Sequence, residues 1–126
     1  MKATIIVEMA KDGTFSCYMK EDIEQACMVG FGKTAEECKN DLLSFYHECL
    51  DDDSNFPVLE FEWKYDIASF LNYYSVLNTS QLAKVIGVNA SLLRRYKSGA
   101  KASQKTYDKF ALGIHRIGAE LLSAKF

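Results

Sequence analysis

Between Thr79 and Gly99 the chain reads TSQLAKVIGVNASLLRRYKSG, and its polar residues fall at the spacing that a DNA-reading helix requires. Asn89, Ala90 and Ser91 are small residues at the start of an apolar-periodic segment. Arg94 and Arg95 follow one turn later, and Ser98 and Lys101 close the stretch. Small side chains let a helix N-terminus come close to base edges, and a guanidinium can fork onto guanine or bind phosphate. These seven residues are the expected contacts to double-stranded DNA. The elements that must hold them are two short helices. Leu82, Ala83 and Ile86 supply the inner face of the first, and Gly87 a turn that resists any residue with a Cβ. Val88 fills the corner, Asn89 caps the second helix, and Leu93 and Tyr96 anchor it.

This pattern resembles the helix-turn-helix of DNA-binding proteins, with Ala83, Gly87, Val88, Leu93 and Tyr96 where that motif takes small, turn or core residues. It is most similar to the phage-repressor-like branch, whose recognition helix ends in Ser-Gly, here Ser98-Gly99, before a basic loop. Ser103 stands where that branch usually has proline. The competing reading is an ordinary helical hairpin carrying a surface arginine pair.

Other chemistry-bearing residues form weaker constellations. Gly32-Lys33-Thr34 matches the end of a phosphate-binding loop, but Cys27 occupies the position of its first glycine. It reads instead as a strand-to-helix turn. His47 and His115 are isolated, and a Cys49–His47 pair has no orienting group in the sequence. Asp51, Asp52 and Asp53 are hard ligands for a divalent cation, yet they fit a solvated helix end better. Glu8, Glu60 and Glu62 are the only carboxylates that strands could gather for a nuclease. Cys17, Cys27, Cys38 and Cys49 show neither a C-x-x-C spacing nor a companion His pair, so they read as buried, reduced thiols acting as small hydrophobes. No catalytic residue, metal or cofactor is expected.

Charge divides the chain. Residues 1–65 hold 6 lysines against 14 acids, −8, while residues 66–126 hold 9 basic residues against 3 acids, +6. An acidic half joined to a basic half predicts two tasks, one of them on a polyanion. With 48% hydrophobic residues the chain is expected to fold rather than stay disordered. No apolar run approaches the roughly 18 residues of a membrane span, and MKATIIVEMAKDG meets Glu8 before a secretory core can form. The expected compartment is the cytoplasm, with no membrane partner.

An α+β fold in two domains follows from periodicity. Residues 2–9 and 15–20 alternate like strands around the Asp12-Gly13 hairpin signal. After the polar loop EDIEQ comes a third apolar run from Ala26 to Phe31. A helix over 35–50, capped by Thr34 with Glu37, is predicted to bury Cys38, Leu42, Phe45 and Cys49. Residues 58–64 make a fourth strand, giving β-β-β-α-β over residues 1–65. Residues 66–126 form an all-α domain: a helix over 66–77, the two short helices after Asn78, and a last helix opened by Ser103. The stripe Tyr107, Phe110, Ala111, Ile114, Ile117, Gly118, Leu121 and Leu122 exceeds what a small helical domain needs. Its surplus, at Ile114, Ile117 and Leu121, predicts a homodimer or higher homo-oligomer, or else a cover for the sheet.

The order of parts resembles the HicB family of antitoxins: Asp12-Gly13 in the first hairpin, Gly32-Lys33-Thr34-Ala35-Glu36-Glu37 before the helix, and a C-terminal helix-turn-helix. The resemblance implies a reduced ribonuclease-H-like N-terminal domain without nuclease activity. That domain would neutralise a small basic ribonuclease toxin that cleaves mRNA, while the C-terminal domain would repress its own promoter. This chain has KEDIEQAC where the family usually carries a Pro- and Gly-containing segment. The alternative is a stand-alone transcriptional regulator whose sheet domain senses a ligand or dimerises. A ribonuclease is the third reading.

Overall fold

The computed structural model describes residues 1–21 and 27–126. The EDIEQ loop beyond Glu21, and the Ala26 start of the third run, lie outside them. The architecture is α+β, with a four-stranded mixed sheet and five helices among the described residues. The strands are β1 (Lys2–Met9), β2 (Phe15–Met19), β3 (Val29–Gly32) and β4 (Glu60–Tyr65), in the spatial order β3-β2-β1-β4. The helices are α1 (Ala35–Asp52), α2 (Ile67–Tyr73), α3 (Thr79–Ile86), α4 (Ala90–Lys97) and α5 (Gln104–Ser123).

Two compact units divide the chain, Met1–Tyr73 and Tyr74–Phe126. The break falls after Tyr73 rather than after residue 65 because α2 packs with the sheet. Met9 N–H donates to Ser69 Oγ, and the Tyr73 ring meets Phe15 edge-on at 5.0 Å. Sequence periodicity extended this helix to Leu77, but the structure ends it at Tyr73.

In the first unit the Asp12-Gly13 turn closes β1 against β2, with Gly13 left-handed at φ 86°. Thr14 donates to Asp12 through its hydroxyl and N–H, and these bonds hold the Asp12 carboxyl below its ordinary range. β1 pairs antiparallel with β2 and parallel with β4, so both edges of the hydrophobic β1 are covered. Ala3, Ile5, Val7, Phe15 and Cys17 point to one face and are buried with Cys38 and Leu42 of α1. Gly30 is needed there: a Cβ on it would lie 2.5 Å from the Cys38 carbonyl oxygen and 2.8 Å from Leu42 N. Thr34 caps α1 by accepting from Glu37 N–H, while the Glu37 carboxylate accepts from Lys33 N–H, one residue before the cap, so the expected box closes on Lys33 rather than on Thr34 itself.

The inner stripe of α1 differs from expectation. Tyr46 is buried at 5% exposure while Phe45 is 46% exposed. Cys38, Leu42 and Tyr46 follow i, i+4, i+8, and Tyr46 wins because its hydroxyl accepts the Leu59 N–H at 2.8 Å. Replacing Tyr46 by Phe strands that N–H and is expected to cost about 1–3 kcal/mol, read as a lower denaturation midpoint. Of the four cysteines expected inside, Cys17 and Cys38 are buried, Cys49 is half-buried and Cys27 is exposed. Cys17 donates to the Cys38 carbonyl and Cys38 to that of Gly30; burial pushes both thiols up, leaving them protonated and inert at neutral pH. No described helix is long and apolar enough to cross a membrane.

Candidate nucleic-acid interface

Local sequence dictates how the second unit presents its basic residues. Asn78 caps α3 by accepting Gln81 N–H, and Gly87 ends it in the left-handed conformation at φ 85°. The N–H groups of Gly87 and Val88 both return to the Ala83 carbonyl, so the chain reverses without leaving that acceptor unpaired. Asn89 then caps α4 through a 2.8 Å bond from Ser91 N–H. α4 ends in a Schellman arrangement: Ala100 N–H reaches Arg95 O and Gly99 N–H reaches Tyr96 O, with Gly99 at φ 109°.

Leu93 and Tyr96 fix the inner side of α4 at 1% and 6% exposure, packed in one core with Leu82, Ala83 and Ile86 of α3. That core decides which residues face out. Ser91, Arg94, Arg95 and Ser98 are exposed along α4, Asn89 and Lys101 are exposed at its two ends, and Ala90 is half-buried. All seven residues selected from sequence thus border one helix. Two are partly committed to the backbone: Asn89 Oδ1 to the cap, and the Ser98 hydroxyl, which donates to the Arg94 carbonyl. Arg94 also leans toward α3, its Nη1 lying 3.4 Å from Ser80 Oγ. Ser80 escaped sequence reasoning because a contact 14 residues away leaves no local signal.

The remaining cations sort by what they touch. Lys109 Nζ donates to the Gly87 carbonyl and Arg116 Nη2 to that of Val85, so both serve the C-terminal end of α3. Arg95 and Lys101 project from exposed positions. Unit by unit the charge division sharpens: Met1–Tyr73 carries 6 lysines and 15 acids, −9, and Tyr74–Phe126 carries 9 basic residues and 2 acids, +7. A helix with exposed guanidiniums, small residues at its N-terminal end and a cationic unit behind it can bind phosphate and base edges.

The nuclease carboxylates are not gathered. Glu62 pairs with Thr4, four residues along β1 from Glu8, or about 13 Å at strand rise. Glu8 instead accepts the Tyr18 hydroxyl at 2.7 Å, which pushes that phenol up to about 12. His47 and His115 are exposed on α1 and α5. Among the described residues no three His, Cys, Asp or Glu side chains are close enough to hold a metal ion. Compared with known proteins, the chain matches no family model, no curated protein and no solved structure.

Proposed function

We propose that the protein is a bifunctional antitoxin: the acidic unit binds and silences a small, basic, mRNA-cleaving toxin, and the basic unit represses the promoter that drives both. In this reading α3 and α4 act as a helix-turn-helix, with α4 in the major groove. Asn89, Ala90 and Ser91 approach the bases, while Arg94, Arg95, Ser98 and Lys101 contact guanine or phosphate. The observation that carries the reading is the charge division of −9 and +7, which coincides with the two compact units. An acidic surface suits a protein built to bind RNA, and a basic one suits DNA. The β-β-β-α-β order that precedes α2 in the first unit supports a reduced ribonuclease-H-like domain and the HicB resemblance.

The alternative, a stand-alone regulator, draws support from one feature. The sheet face opposite α1 leaves Tyr18, Val29 and Phe31 at 37%, 50% and 64% exposure, a surface for a ligand or another chain. Co-expression of the full chain with the product of the adjacent reading frame separates the two. The antitoxin reading expects that product to arrest growth alone and the full chain to restore it. It also expects Arg94→Ala with Arg95→Ala to keep protection while losing repression. A harmless neighbour, or arrest that the full chain does not relieve, would sink the antitoxin reading and leave the regulator.

A further inference from the structure

We infer that Glu37 and Asp41 of α1 close the open edge of the sheet, a built-in block that keeps a strand of a second copy from pairing with β3. The spatial order β3-β2-β1-β4 leaves β3 and β4 as the two edges among the described residues. An edge offers a row of backbone donors and acceptors to any other extended chain. β4 reads EFEWKY and sets Glu60, Glu62 and Lys64 at alternate positions, and such charges deter strand addition. β3 reads VGFG, without a charge, and its Val29 and Phe31 side chains are 50% and 64% exposed. An uncharged, apolar edge is the kind that recruits a copy of itself.

The helix guards β3 instead. N–H groups along a strand point alternately to its two sides. Gly30 and Gly32 stand opposite Cys17 and Phe15 of β2, and the Phe31 N–H between them turns away from β2 to donate to Asp41 Oδ2 at 2.9 Å. Two residues on, just past the strand, the Lys33 N–H donates to Glu37 Oε2 at 2.8 Å. At strand rise these two donors are about 6.7 Å apart. The two acids, four residues apart in α1, are separated by about 6 Å of helical rise. The helix therefore lays one acceptor on each of these N–H groups, in antiparallel order, as the carbonyls of a neighbouring strand would.

Glycine makes this overlap possible. A Cβ on Gly32 would come 2.6 Å from Cys38 N and 2.6 Å from Glu37 Cβ, and one on Gly30 would strike the next turn of the helix. With no side chains between them, α1 lies low enough on β3 for its carboxylates to reach over the edge. Glu37 also serves the start of the helix. Asp41 does not: it lies past the first turn, where the helix N-terminus no longer favours an acid, and aspartate is among the weaker helix formers. Its bond to Phe31 is the contact that accounts for it. The block is independent of what either unit binds.

Sedimentation velocity of the full chain over a concentration series, with infrared spectra of the same samples, tests the block. Asp41→Ala is expected to form species larger than the wild type's at about a tenfold lower concentration, since each pairing gains the freed N–H of both copies. Those species are expected to carry the infrared band of intermolecular β-sheet. Asp41→Asn keeps an acceptor oxygen and is expected to sediment as the wild type does. Adding Val29→Lys to Asp41→Ala puts a charge on the edge and is expected to restore the wild-type distribution. An Asp41→Ala variant that sediments like the wild type would overturn the block. Equal association by Asp41→Asn would assign the effect to lost charge repulsion and overturn it too. Failure of Val29→Lys to reverse the association would trace it to general unfolding, with the same consequence.

Discussion

Substituting alanine for both Arg94 and Arg95 is expected to lower sequence-specific DNA affinity on the order of a hundredfold or more, since each lost bidentate base contact costs about 1–3 kcal/mol. The fold should survive. Both side chains are exposed, and Arg94 makes only a long 3.4 Å contact to Ser80, while α4 is held by Leu93 and Tyr96 on its other side. Salt dependence then separates two roles. If the arginines bind phosphate, the log–log slope of affinity against salt falls by roughly 0.9 for each one removed. If they read guanine, discrimination between sequences collapses as well. An unchanged shift of a specific duplex by the double variant would remove α4 from the interface.

Replacing Gly30 by valine is expected to have the largest effect on folding. The helix α1 lies so near β3 that even a Cβ would come within 2.9 Å of Leu42 Cβ and closer still to two backbone atoms. Backbone cannot step aside as a flexible side chain can, so sheet and helix must separate. Overpacking of this kind costs about 3 kcal/mol or more, which for a unit this small lowers the midpoint by on the order of 15 °C. Gly118→Ala is the control, because open space surrounds that position and alanine is the better helix former. Calorimetry of both variants checks the contrast; equal midpoints would contradict the close α1–β3 packing.

Sequence revealed most where the signal is local. The caps at Thr34, Asn78, Asn89 and Ser103 each bond a residue two or three positions on, so composition alone marks them. Gly87 and Gly13 are legible for the same reason, their turns needing a positive φ. The outward face of α4 followed once Leu93 and Tyr96 were read as its anchors. Features set by distant partners were not legible. Tyr46 displaced Phe45 from the core through a bond to Leu59, which belongs to the segment leading into β4. The packing of Tyr73, the last residue of α2, on Phe15 joins residues nearly sixty positions apart. Ser80 beside Arg94 depends on helices meeting in space. Periodicity located the apolar residues of α5, but the close approach of Gly113 to Ile86 of α3 left no signal in it.

Selection from a library of random-sequence DNA duplexes tests the central claim, that α4 reads DNA, without requiring the natural site. The full chain is expected to enrich a two-fold-symmetric sequence with half-site centres about one helical turn of 10–10.5 base pairs, or a multiple of it, apart. The Arg94→Ala, Arg95→Ala variant, selected in parallel, is expected to enrich nothing. If the wild type enriches no sequence beyond what that variant does, the basic unit is not a sequence reader and the account fails at its centre.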